Sequence, residues 1–143
     1  NHFSKIQLKE FSILYIMLNY LDITLQKISD LSKVKFETSV NESLKNDIIK
    51  VLQSEEDKNS IKSKIFKEHE KLITEIQENS SIQIILTNKN NESVAESLNE
   101  LLIEFEELKN QKKIESLEKD IVNNLDENSF SELIKLKSQI NRE

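Results

Sequence analysis

Two short stretches hold the residue types that catalysis or metal binding most often uses. His69 is followed by Glu70, the order that opens the helical zinc motif H-E-x-x-H, but the second histidine is missing. Residues 55–57 (Glu-Glu-Asp) are rich in carboxylates, yet a calcium loop also needs its twelve-residue ligand pattern and a glycine. We interpret His69 as a structural or exposed residue and the acidic run as the first turn of a helix. The sequence therefore predicts no catalytic residue, no metal ligand and no cofactor site in this chain.

The composition favours the same interpretation, because the 143 residues contain no glycine, proline, cysteine or tryptophan. Without glycine, the phosphate-binding loops of nucleotide-dependent enzymes are excluded and tight hairpin turns are disfavoured. What remains is a set of helices joined by Asn, Asp and Ser connectors. We expect a binding module rather than an enzyme.

The charge distribution bears on possible partners. The net charge of −6 comes entirely from residues 91–143, which hold 13 acidic and 7 basic residues, whereas residues 1–90 hold 13 of each. This is not the basic stripe of a duplex-binding domain, so direct sequence-specific nucleic-acid binding is not expected. The longest apolar run, Phe11 to Leu21, is shorter than the roughly twenty residues that span a bilayer, so no membrane partner is expected. Together with the missing cysteines, this predicts a cytoplasmic protein.

The first part of the chain predicts a helical bundle. Ile6 to Tyr20 is apolar on nearly every side, which is typical of a helix at the centre of a bundle. Ser39 with Glu42 three residues later predicts a capping box at the start of a further helix. Residues 80–87 are interpreted as a short helix. The connector at residues 30–38 is expected to insert three apolar side chains into the core: Leu31, Val34 and Phe36.

The last third predicts a change of partner along one helical stretch. Val94, Leu98, Leu101, Phe105 and Leu108 follow the 4-3-4-3 spacing of a packed helix pair. Beyond residue 110 the apolar positions move to a different side of the helix: Ile114, Leu117 and Ile121. We therefore predict an all-α fold in which a multi-helix bundle, residues 1–110, is followed by a C-terminal helical hairpin, residues 111–143.

The hairpin carries more apolar surface than two helices can hide from water. Its last helix is predicted to begin at Ser129, with Glu132 completing a capping box. The apolar arcs of the two helices span roughly 160° and 140°, which is wider than the strip along which two helices touch. Part of this surface must be covered by the bundle or by a partner protein.

The order of elements resembles the C-terminal domain of bacterial DnaG primases. The resemblance rests on the opening helix with the segment 9–14 (KEFSIL), on the Phe36 plug before a helix with Ile48, Ile49 and Leu52, and on the final hairpin. That hairpin contains the segments 114–119 (IESLEK) and 130–137 (FSELIKLK), separated by a short acidic turn. The similarity covers nearly the whole chain, and its strongest parts are the element order and the hairpin.

The resemblance implies a function without implying chemistry in this chain. In that family the domain binds the hexameric replicative DNA helicase through the hairpin, which docks on the helicase N-terminal domains. It thereby couples RNA primer synthesis to the replication fork. The parent protein is then a primase, a DNA-directed RNA polymerase whose catalytic parts lie elsewhere. In some members the first subdomain also contacts single-strand DNA-binding protein.

Seven residues of the last helix are expected at the partner interface: Phe130, Leu133, Ile134, Lys135, Leu136, Lys137 and Ile140. Phe130, Leu133 and Ile140 are expected to contact the opposing helix most. Ile134 and Leu136, at the two edges of the apolar arc, are expected to face the partner. The two lysines supply polar contacts at the rim.

Two other functions fit the same pattern. The N-terminal domain of the replicative helicase has a related helical fold and assembles into rings. A short coiled-coil structural protein is the second alternative, because Val94 to Leu108 has the heptad spacing over two repeats.

Overall fold

The computed structural model describes residues 2–54, 57–79, 90–124 and 127–140, and every regular element in these ranges is an α-helix. The all-α prediction is confirmed. The helix predicted at residues 80–87 lies outside the described residues. Within these ranges, eight helices follow one another: α1 (Lys5–Asn19), α2 (Leu21–Gln26), α3 (Ile28–Lys33), α4 (Ser39–Gln53), α5 (Lys58–Glu68), α6 (Glu70–Asn79), α7 (Asn91–Asn124) and α8 (Glu127–Ile140).

The chain divides into two compact units, Asn1–Leu102 and Ile103–Glu143. The division falls inside α7, upstream of the boundary predicted at residue 110. The first unit contains α1 to α6 and the start of α7. The second contains the rest of α7 together with α8.

Helix α1 occupies the core of the first unit. It starts with a capping box in which Ser4 Oγ accepts the N–H of Gln7 at 3.1 Å, while Gln7 Oε1 accepts the N–H of Ser4 at 2.9 Å. Residues 10–14 and 16–18 are all buried, so every side of the helix is covered by protein. The prediction of a central helix is confirmed. Its burial removes a long apolar surface from water, which is the main favourable term in folding.

The apolar side chains of the predicted connector, residues 30–38, insert into the core as predicted, although the first part of this segment belongs to α3. Leu31, Val34 and Phe36 are all buried. The predicted capping box at the start of α4 is wrong, because the N-cap residue is Thr38 and its side chain makes no capping hydrogen bond. Glu42 instead accepts the N–H of Phe36 at 3.1 Å. The N–H groups of Glu37 and Thr38, just before Ser39, are satisfied by a side chain of α1, as described below.

Helix α7 exposes different sides to water along its length. Its early buried positions are Val94, Leu98, Leu101, Leu102 and Phe105, and its later ones are Ile114 and Leu117. Phe105 and Ile114 are separated by about two and a half turns, so they lie on opposite sides of the helix. The predicted change in direction of the buried face is confirmed, and it occurs within one uninterrupted helix.

Candidate protein-binding site

The C-terminal hairpin is held together by a small apolar cluster. Ile114 and Leu117 of α7 pack against Leu133 and Leu136 of α8, and these four side chains are buried. Ile121 and Ile140 pack against the cluster and are partly buried. The contact strip on α8 therefore runs through positions 133, 136 and 140, which is the 3-4 spacing of an antiparallel helix pair.

Two ion pairs cross the hairpin on either side of this cluster. Lys113 Nζ lies 2.7 Å from Glu132 Oε1, and Lys137 Nζ lies 3.1 Å from Glu118 Oε1. All four side chains are about half exposed. Exposed pairs of this kind contribute at most about 1 kcal/mol each. They mark the two flanks of the apolar contact. The predicted capping box of α8 is wrong, because α8 begins at Glu127 and Glu132 pairs with Lys113.

Two residues of α8, Leu136 and Phe130, have the opposite exposure to the one expected. Leu136, expected to face a partner, is buried in the cluster at 9% exposure. Phe130, expected to contact the opposing helix, is 52% exposed. Around α8 at 100° per residue, Phe130 lies roughly 90° from the centre of the contact strip, which explains its exposure. Leu133 and Ile140 lie on the contact side, as the spacing predicts.

Three exposed apolar side chains lie on one flank of the hairpin and are here called the apolar stripe: Val122, Phe130 and Ile134. Their exposed fractions are 78%, 52% and 55%. Glu118 and Lys137 form one of the two ion pairs across the hairpin. Val122 is one turn from Glu118, and Phe130 is two turns from Lys137, so each lies on the same side of its helix as one member of this pair. Since Glu118 and Lys137 meet across the hairpin, the stripe lies on their flank.

The two lysines expected at the rim are placed differently. Lys137 lies on the flank of the apolar stripe, where it pairs with Glu118. Lys135 is exposed, but it lies about 140° from Phe130 around α8 and therefore points away from the stripe. Of the seven predicted interface residues, Phe130, Ile134 and Lys137 share the exposed flank.

His69 has close acidic neighbours that the sequence interpretation did not foresee. Its Nε2 atom lies 2.7 Å from Asp47 Oδ2, and its side chain is 15% exposed. Glu68 completes a group in which one possible ligand atom from each residue lies within 4.8 Å of the others. Asp47 belongs to α4, 22 residues away in sequence. Sequence spacing alone gave no signal for this proximity.

A buried carboxylate in α1 accepts hydrogen bonds from residues at the start of α4 and just before it. Glu10 is fully buried, and its carboxylate accepts hydrogen bonds from the N–H groups of Glu37 at 2.6 Å and Thr38 at 3.4 Å. Asn41 Nδ2 donates a third bond to Glu10 at 2.8 Å. A negative charge is favourable at a helix N-terminus. Glu10 therefore binds, from a different helix, the N–H groups of the two residues that lead into α4.

A buried lysine binds the carbonyl groups at the C-terminal end of α3. Lys45 is 1% exposed, and its ammonium donates to the carbonyl oxygens of Leu31, at 3.1 Å, and of Val34. It also lies 2.9 Å from Glu42 Oε1 and 5.1 Å from the centre of the Phe36 ring. These carbonyls belong to the last turn and C-cap of α3, where a positive charge is favourable.

The Glu42 carboxylate links this lysine to the connector. Burial alone raises its pKa, but the hydrogen bonds from Lys45 and from the N–H of Phe36, together with the charge of Lys45, outweigh that effect. The pKa of Glu42 is therefore lowered from its ordinary value. The carboxylate remains ionised in mildly acidic solution. Glu10, Lys45 and Glu42 together fix the connector between α3 and α4.

Comparison with protein-family models, with curated proteins and with solved structures found no match to this chain. Among the described residues, no helix combines the length and the apolar character needed to cross a membrane.

Proposed function

We propose that this chain is a protein-interaction module and that its C-terminal hairpin docks on the hexameric replicative DNA helicase. It then belongs to a DnaG-type primase acting in the cytoplasm, and primer synthesis takes place in other parts of that enzyme. The proposal assigns no catalytic residue, cofactor or metal to the docking reaction itself. It rests on the order of helices described above and on the exposed flank of the hairpin.

The apolar stripe is the single observation that carries the proposal. Val122, Phe130 and Ile134 expose more than half of each side chain, although the hairpin already buries its own cluster. Exposed apolar side chains that are grouped on one surface and bordered by polar residues are typical of protein-interaction sites. A half-exposed pair, Glu118 and Lys137, lies beside the stripe, as charged residues do at an interface rim.

Exposed apolar residues also occur in the first unit, and they differ in arrangement. Leu8, Leu25 and Val40 belong to three different helices, α1, α2 and α4. Scattered single residues of this kind are normal on a folded surface. The stripe instead places three such residues on one flank of a two-helix hairpin, so we assign helicase docking to the second unit.

The coiled-coil alternative is disfavoured because the apolar residues with heptad spacing are already buried. Val94, Leu98, Leu101 and Phe105 are at most 7% exposed within this single chain. A second helix would have to displace the residues that already cover them. An elongated dimer that pairs through these four residues is therefore not proposed.

The test is direct binding of the intact chain to the purified helicase hexamer of the same organism. Isothermal titration should give saturable binding, and sedimentation of the mixture should show the chain moving with the hexamer. Sedimentation of the chain alone should give a monomer. Formation of a ring by the chain alone would favour the helicase N-terminal domain instead. A lack of binding at concentrations far above the micromolar range would contradict the proposal.

A further inference from the structure

We propose that Asp47, Glu68 and His69 form a binding site for a divalent transition-metal cation of the Zn²⁺ class. The site lies in the first unit, where α4 packs beside the junction of α5 and α6. It is independent of the hairpin and of helicase docking.

The ligand types and their proximity carry the proposal. An imidazole and two carboxylates each offer one atom, and the three atoms lie within 4.8 Å of one another. Zn²⁺ in proteins is bound by this combination of nitrogen and oxygen ligands, commonly with water at a remaining position. Glu68 is exposed and Asp47 is 40% exposed, so solvent reaches the group.

The backbone at the centre of the group is fixed by helical hydrogen bonds. His69 lies between α5 and α6, where its N–H donates to the Ile65 carbonyl at 3.0 Å and its carbonyl accepts the N–H of Ile73 at 2.9 Å. The imidazole is 15% exposed and directed at Asp47. A ligand held in this way loses little conformational entropy when a cation binds.

The charge balance of the group also favours a cation. Two carboxylates face a single imidazole, so the group keeps a net negative charge even when the imidazole is protonated. Within the described part of the chain, neither Asp47 nor Glu68 pairs with a lysine. A divalent cation would neutralise this excess.

Binding requires only small side-chain movements. Ligand atoms around one tetrahedral Zn²⁺ lie about 3.4 Å apart. His69 Nε2 and Asp47 Oδ2, which lie 2.7 Å apart, must therefore separate slightly, and the Glu68 oxygen, within 4.8 Å of both, must adopt the same spacing. The cation replaces the His69–Asp47 hydrogen bond, and the neutral imidazole that binds it through Nε2 carries its single proton on Nδ1. A set that includes imidazole favours Zn²⁺ over Mg²⁺, which prefers oxygen ligands.

The chain has only two histidines, His2 and His69, so the experiment can be made specific. Zn²⁺ as the chloride is titrated by calorimetry into the intact chain carrying His2→Ala. We expect one Zn²⁺ per chain and weaker binding of Mg²⁺. His69→Gln, Asp47→Asn and Glu68→Gln should each weaken Zn²⁺ binding roughly tenfold or more, since even outer-shell substitutions cost about that much.

Glu70→Gln is the matched control, because Glu70 is exposed, adjacent to His69 and outside the group. It should leave Zn²⁺ affinity unchanged. Circular dichroism of each variant checks that the helices are intact. The proposal is overturned if Zn²⁺ does not bind saturably, or if folded His69→Gln binds it as tightly as the parent.

Discussion

The carboxylate of Glu10 accepts a hydrogen bond from Asn41 Nδ2 at 2.8 Å. The two residues are 31 positions apart in the sequence, and both are buried. This contact ties α1 to α4 at the point where α4 begins. A charged group buried in this way is tolerated only because hydrogen bonds satisfy it. The same carboxylate binds the N–H groups of Glu37 and Thr38, so it also fixes the backbone that leads into α4.

Neutralising Glu10 should destabilise the first unit without changing its shape. Glu10→Gln keeps the volume but weakens charge-assisted bonds to Glu37 and Thr38. We expect a loss of about 1.5–3 kcal/mol in the free energy of unfolding, the range for hydrogen bonds to charged groups. Urea denaturation measures it. Glu78→Gln, at an exposed position of α6, is the control and should change stability by no more than about 0.5 kcal/mol. Equal stability of both variants would contradict a stabilising role for the hydrogen bonds of Glu10.

Removing the buried ammonium should have a larger effect. Lys45→Met preserves the apolar stem but removes the donor to the carbonyls of Leu31 and Val34 and the positive charge beside the carboxylate of Glu42. We expect a loss of about 3–5 kcal/mol, as for breaking a buried charge pair by removing one partner. Lys50→Met, exposed on the same helix, should be nearly neutral. A Lys45 variant as stable as the Lys50 variant would contradict the network.

Acid should weaken the fold partly through Glu42. Its pKa is lowered in the folded state, so its contribution is fully present above the pKa of the unfolded chain. That contribution is lost as the pH falls through the lowered folded-state pKa. Urea denaturation at a series of pH values from neutral down to pH 3 should show a shallower decline for Glu42→Gln than for the parent. Parallel curves for the two proteins would contradict this role.

The two neighbouring faces of α8 should respond differently to truncation. Leu136→Ala removes a buried side chain from the hairpin cluster and should cost about 2–5 kcal/mol. Ile134→Ala alters an exposed side chain and should stay within about 0.5 kcal/mol. Hydrogen exchange of the α8 amides measures the local effect. Faster exchange in the Ile134 variant than in the Leu136 variant would reverse the assigned orientation of the helix.

Periodicity predicted the helices and the core because these depend on residues close in sequence. The central position of α1 and the change of buried face along α7 both follow from apolar spacing alone. The contacts of Glu10 with the segment before α4 did not, because Glu10 lies 27 residues from Glu37, and the local Ser39–Glu42 pattern predicted a capping box instead. The apolar spacing also could not predict the orientation of α8. Its apolar arc is wide, and the register of the hairpin decides whether Phe130 or Leu136 faces inward.

The most direct measurement is the affinity of the helicase hexamer for the chain carrying both Phe130→Asp and Ile134→Asp. If each residue is an interface anchor worth about 2 kcal/mol, the double variant should bind at least about 100-fold more weakly while remaining helical. The control carries Leu25→Asp and Val40→Asp, two exposed apolar positions of the first unit, and should bind like the parent. Parent-like affinity of the Phe130/Ile134 variant would contradict docking through the apolar stripe.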